Sequence, residues 1–177
     1  MRSFLYLLLA STIAPAAPAQ MAEAPDHAPN CPADAEPLPT ALAAWTKRMP
    51  LAAATSAAAL ATVRLAPGAA VDLRLAATPQ VAYVTRPDHP GGSVSYGGML
   101  AVHVARAGTI RVGIGSAAWI DVVDGSGKAV ASIAHGQGPA CSGIRKMVDF
   151  QLVPGDYVVE IAGNGTPLLP LIVAPLG

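Results

Sequence analysis

Charge is scarce in this chain. Only 12% of its 177 residues are Asp, Glu, Lys or Arg, and eleven basic residues stand against eleven acidic ones. The charges are scattered singly, so no basic stripe is available for a phosphate backbone or an anionic membrane, and nucleic acid is not expected as a partner. Aromatic residues make up 5%. Core bulk must therefore come from a limited set of Val, Ile, Leu and Tyr side chains, which suit strands more than helices. Cysteine is limited to Cys31 and Cys141, which are too far apart for a Cys-x-x-Cys redox or zinc unit. No stretch reaches the roughly 20 apolar residues that a spanning helix requires, so no transmembrane segment is expected. The chain also lacks a Gly-x-Ser-x-Gly elbow. Gly113-Ile114-Gly115-Ser116-Ala117 does not match that spacing and reads as a turn between strands. Gly125-Ser126-Gly127-Lys128 lacks the first half of a phosphate loop and reads as a hairpin turn.

What is present begins at the N-terminus. Arg2, the apolar run Phe4 to Ala10 and the small residues Ala17-Pro18-Ala19 predict a secretory signal peptide over residues 1–19. Cleavage falls before Gln20, with cleavage after Ala16 as the alternative. The expected location is periplasmic or extracellular, where thiols oxidise, so the only intramolecular pairing is a Cys31–Cys141 disulfide. Such a bridge closes a loop of about 110 residues, for which chain entropy gives an upper figure of roughly 4–5 kcal/mol.

Residues 20–60 read as an N-terminal arm, extended and partly helical. From Gln20 to Pro39 almost nothing bulky offsets the entropy of folding. Thr40 to Trp45 predicts a short helix capped by Thr40, with Pro50 barring its continuation. The alanine-rich stretch Leu51 to Thr62 is compatible with helix or extended linker. From residue 61 to 177 the period becomes two. Val71 to Leu75, Leu100 to Val104, Ile110 to Ile114, Val148 to Leu152 and Tyr157 to Ile161 read as strands with one buried face. Shorter strands are expected at Thr62 to Leu65, Val81 to Thr85, Trp119 to Val123, Ala129 to Ile133 and Leu168 to Val173. Turn sequences such as Ala66-Pro67-Gly68, Asp124-Gly125-Ser126-Gly127 and Pro154-Gly155-Asp156 separate them. Short strands at this spacing predict an all-β fold, an antiparallel two-sheet β-sandwich of jelly-roll-like type, with a small barrel as the alternative.

Two resemblances accompany this reading. Gly108-Thr109-Ile110, Ile120 to Gly127 and Leu152 to Tyr157 resemble, in that order, the pre-peptidase C-terminal type of secreted β-sandwich, which implies a fold. Ala118-Trp119-Ile120-Asp121-Val122, Ala134-His135, Gly138 to Lys146 and Pro87 to Gly92 are similar to a family of small secreted bacterial proteins. Members of that family often carry the automatic name homogentisate 1,2-dioxygenase. The name implies ferrous iron held by two histidines and a carboxylate. The available histidines are His27, His89, His103 and His135, and none forms a His-x-His pair followed closely by Glu. His27 lies in the arm, and His103 alternates with Val102 and Val104, which leaves His89 and His135 with Asp88 or Asp121.

Two further constellations carry chemistry. His135, a reduced Cys141 and Met147 would suit cuprous copper, whereas a disulfide would leave His135 and Lys146 as rims of a surface loop. Trp119 and Asp121 share the outward face of a strand whose Ile120 and Val122 point inward. An indole beside a carboxylate can hold a ligand by stacking and hydrogen bonding, or Trp119 can be satellite core under a loop. The expected function is a non-catalytic binding or accessory module for a protein, peptide or glycan partner, without a cofactor. An iron or copper protein, or a dioxygenase, is the alternative.

Overall fold

The computed structural model describes Cys31 and residues 37–177. The predicted signal peptide, His27 and most of the arm before Leu38 lie outside the described residues. The described residues form ten strands: β1 (Met49–Ala52), β2 (Ala69–Arg74), β3 (Ala76–Ala77), β4 (Tyr96–Val104), β5 (Gly108–Ile114), β6 (Trp119–Val123), β7 (Ser132–Gly136), β8 (Lys146–Leu152), β9 (Gly155–Asn164) and β10 (Leu168–Leu176). They form an all-β two-sheet sandwich. The larger sheet has the order β1-β2-β10-β5-β8-β7 and the smaller β3-β4-β9-β6.

The period-two pattern decides which side chains meet between the sheets. Leu100, Val102 and Val104 of β4, Ile120 and Val122 of β6, and Tyr157, Val159 and Ile161 of β9 form one layer. Leu73, Val112, Ile114, Phe150, Leu171 and Val173 of the larger sheet form the other. All are buried, and each such side chain is worth about 1.5–3 kcal/mol relative to exposure. Every connection from β4 to β10 crosses between sheets except the β7–β8 hairpin.

The segment expected to be arm up to residue 60 belongs in part to the domain. β1 pairs in parallel with β2, so the larger sheet is not wholly antiparallel. Pro50 is tolerated because β1 is an edge strand, where a missing N–H breaks no ladder. Thr40–Thr46 is a 3₁₀ helix that starts after Pro39 and has no side-chain cap, contrary to the expected Thr40 cap. Its three-residue period stacks Leu42 and Trp45 on one side. Both are buried against Ala70, Ile144, Ile172 and Ala174 on the outer face of the larger sheet. Gly113, lacking a side chain, leaves room there for Ile144 and Ile172. The alanine-rich stretch resolves into β1 followed by a second 3₁₀ turn, Ala57–Ala61.

Three expected strands are displaced. Residues 62–65 make only an isolated parallel bridge, Arg64 to Ala101, and residues 81–85 lie outside any ladder. Residues 62–65 run along the edge of β4, with Leu65 N–H donating to Ala101 O at 2.9 Å, whereas residues 81–85 cross the outer face of the smaller sheet, where Val84 and Thr85 N–H donate to Glu160. The strand expected at Ala129 to Ile133 begins at Ser132, because residues 128–130 first fold back along β6, with Val130 N–H donating to Val122 O at 2.7 Å.

The Cys31–Cys141 disulfide is present, with 5.6 Å between the Cα atoms. Cys141 lies in the β7–β8 connection and has a left-handed backbone (φ 61°), as does Gly143 two residues on (φ 73°). Trp45 Nε1–H donates to Ser142 O at 2.7 Å, so the same connection is held both covalently and by the 3₁₀ helix. No helix among the described residues is long and apolar enough to cross a membrane.

Candidate functional site

β6 is the outer strand of the smaller sheet and β7 that of the larger. Between them, on one side of the sandwich, a cleft of about 340 Å³ opens towards the core. Its floor is apolar: Ile120 and Phe150 belong to the inner layers, with Val148 and Val130 beside them. Its polar groups come from three strands, with Trp119 and Asp121 on β6, Ser132 and His135 on β7, and Lys146 at the start of β8.

Trp119 is half-buried. Its Nε1–H donates to Asp121 Oδ2 at 2.8 Å, an i to i+2 contact along one strand face. The Lys146 ammonium stands over the indole, 5.2 Å from its centroid, and donates to Ala118 O at 3.0 Å. The His89 ring packs tilted at 55° against Trp119 with centroids 4.3 Å apart. Asp88, His89 and Trp119 border a second, shallower depression against Ala162 and Gly163. Trp119 is thus a wall shared by two hollows.

Burial pushes the Asp121 carboxyl above its ordinary range, against the opposing Trp119 N–H; Asp88 raises it further, and Lys146 and His89 lower it. Burial pulls the Lys146 ammonium below its ordinary range, with Asp121 acting the other way. Both groups therefore carry a desolvation cost at the mouth of the cleft. Among the described residues no carboxylate lies within ion-pair distance of Lys146.

Across the ladder, Asp121 stands opposite Glu160 of β9. Glu160 Oε1 accepts from Val84 N–H at 2.8 Å and Thr85 N–H at 3.1 Å, so this carboxyl fastens the segment that leads to His89. Its Oε2 has no partner among the described residues. Burial raises the Glu160 pKa, and burial together with Glu160 raises the Tyr83 phenol to about 12.

The expected ligand pair Trp119 and Asp121 is joined, and the expected metal residues do not share a point. His89 lies in the depression on one side of the indole, whereas His135 lines the cleft. His103 pairs with Asp156 at 3.1 Å on another surface. No group of three or more His, Cys, Asp or Glu is arranged to hold a metal among the described residues. A two-histidine, one-carboxylate iron site built from His89, His135 and Asp88 or Asp121 does not fit this arrangement. The copper set fails for a different reason: the disulfide removes the Cys141 thiolate.

Glu160 and the floor residues carry no local sequence signal that marks them as parts of the site. Glu160 occupies an outward position on β9, and nothing local announces that residues 83–85 cover it. No known protein family, curated protein or solved structure matches the chain.

Proposed function

We propose that the protein is an exported, non-catalytic binding module whose small ligand seats in the cleft between β6 and β7. The observation that carries this reading is the union of a core-floored cleft of about 340 Å³ with two desolvated charged groups, Asp121 and Lys146, at its mouth. Ligand sites combine an apolar lining with a few convergent polar groups and shifted pKa values in this way. Export is supported by the leader-like residues 1–19 and by the disulfide, which persists in oxidising compartments. Trp119 serves as a wall held by His89, Asp121 and Lys146, an arrangement that favours a small molecule over a sugar stacked on an open indole face.

The test is a fragment screen by ¹⁵N-resolved NMR on the oxidised protein. Hits are expected to shift the Trp119 indole N–H and the amides of 119–121 and 146–150. Ser132→Trp, a substitution at an exposed position on the cleft wall, should abolish those shifts without unfolding the chain. Hits confined to other surfaces, or hits indifferent to Ser132→Trp, would remove the cleft from consideration.

A further inference from the structure

If the cleft is a ligand site, its own charge pattern restricts what it can take. The Lys146 ammonium has three N–H donors, of which one is given to Ala118 O. With no described carboxylate in ion-pair range, the remaining donors are left at the mouth of an apolar cleft, where an unmatched charge is costly. Asp121 does not fill that place: its Oδ2 accepts from Trp119 Nε1–H, and no ion pair joins it to Lys146. His135 and Ser132, both exposed on β7, add a ring N–H and a hydroxyl on the same rim, and neither is engaged by a described side-chain hydrogen bond. Below this rim the walls are Ile120, Val148 and Phe150, all buried and all part of the main core.

Each competing class meets an obstacle. A cationic ligand would face the Lys146 ammonium, which already occupies the cation position over Trp119. A dianion such as a phosphate monoester would bring a second negative charge towards Asp121 with a single permanent cation to balance it. A neutral alcohol would leave Lys146 without a counter-charge in ion-pair range. We propose, resting on the reading of the cleft as a ligand site, that it binds an amphipathic monocarboxylate of modest size, its carboxylate at Lys146, His135 and Ser132 and its apolar chain against Ile120, Val148 and Phe150.

The experiment titrates the oxidised full chain, by NMR and calorimetry, with octanoate, 1-octanol, octylamine and octyl phosphate. Octanoate should shift the Trp119 indole N–H and bind at least about tenfold more tightly than the other three, the worth of one charge-assisted hydrogen bond. Lys146→Gln should remove that preference, and Ser132→Trp should abolish binding of all four. Tighter binding of octylamine, 1-octanol or octyl phosphate, lost in Ser132→Trp, would overturn the carboxylate assignment and leave the cleft as a ligand site. An octanoate affinity unchanged in Lys146→Gln would overturn it equally. Absence of any shift at the cleft with all four probes would overturn this assignment, and with no hits at the cleft in the fragment screen the binding reading falls too.

Discussion

Glu160 follows Val159 and precedes Ile161 on β9, so its side chain leaves the sandwich interior, yet it is only 1% exposed because residues 83–85 cross that face. A raised carboxyl pKa means that the folded chain holds its proton to higher pH than the unfolded chain does. The stability contributed by this group is therefore present below the ordinary Glu value of 4.5 and is lost as pH rises through the raised value. Asp121 is shifted in the same direction. Melting temperature should accordingly fall as pH is raised from 4.5 through the raised value, and Glu160→Gln should flatten that slope. An unchanged slope in the variant would show that folding does not shift the Glu160 carboxyl. Arg111 and Asp149 pose the opposite case. Their two parallel hydrogen bonds, 2.7 and 2.8 Å, sit on the outer face of the larger sheet and raise the Arg111 pKa. Asp149→Ala should cost about 2 kcal/mol in urea denaturation, since it strands a part-buried guanidinium. Alternation along the chain marks both acids as outward-facing, and this much the sequence discloses. Which outward face is covered depends on residues some 75 positions away, and no local pattern records that.

The strands with strict alternation were legible because one polar face against one apolar face admits a single register. β4, β5, β8 and β9 contain their expected segments whole, and β2 ends at Arg74, one residue short of the expected Leu75. β1 was not legible. It is four residues long, contains Pro50 and has no buried residue, and its place is set by the ladder to β2 and the Arg48–Asp72 ion pair at 2.7 Å. The 3₁₀ helix at Thr40–Thr46 shows a similar override, since it is packing of Leu42 and Trp45 that holds it, without a side-chain cap. Trp45→Ala should therefore destabilise the domain by about 3 kcal/mol, the range of a large aromatic removed from a packed site. Trp45→Phe should cost about 1 kcal/mol, mainly through the lost donor to Ser142 O. Equal losses for the two variants in chemical denaturation would mean that the hydrogen bond, not the packing, secures the helix. In the cleft, Trp119 and Asp121 were visible as neighbours on one strand. Lys146 and His89 reach the same indole from elsewhere in the chain, and only the fold brings them there.

The disulfide joins residues 110 positions apart. Replacing both cysteines by serine should lower stability by roughly 2–4 kcal/mol, while far-ultraviolet circular dichroism keeps its sheet signature. Loss of the sheet signal at room temperature would mean that the bridge is a condition of folding and not a reinforcement. The strand order of the larger sheet carries a different consequence. β10, residues 168–176, lies between β2 and β5 and bonds to both. Until that strand has left the ribosome, the two halves of the sheet have nothing to join them, and β2 and β5 each present a bare edge. A polypeptide built in this order cannot close its larger sheet until residues 168–176 are made. If exported as proposed, a chain that meets the export machinery before its last strand is made meets it with that sheet still open.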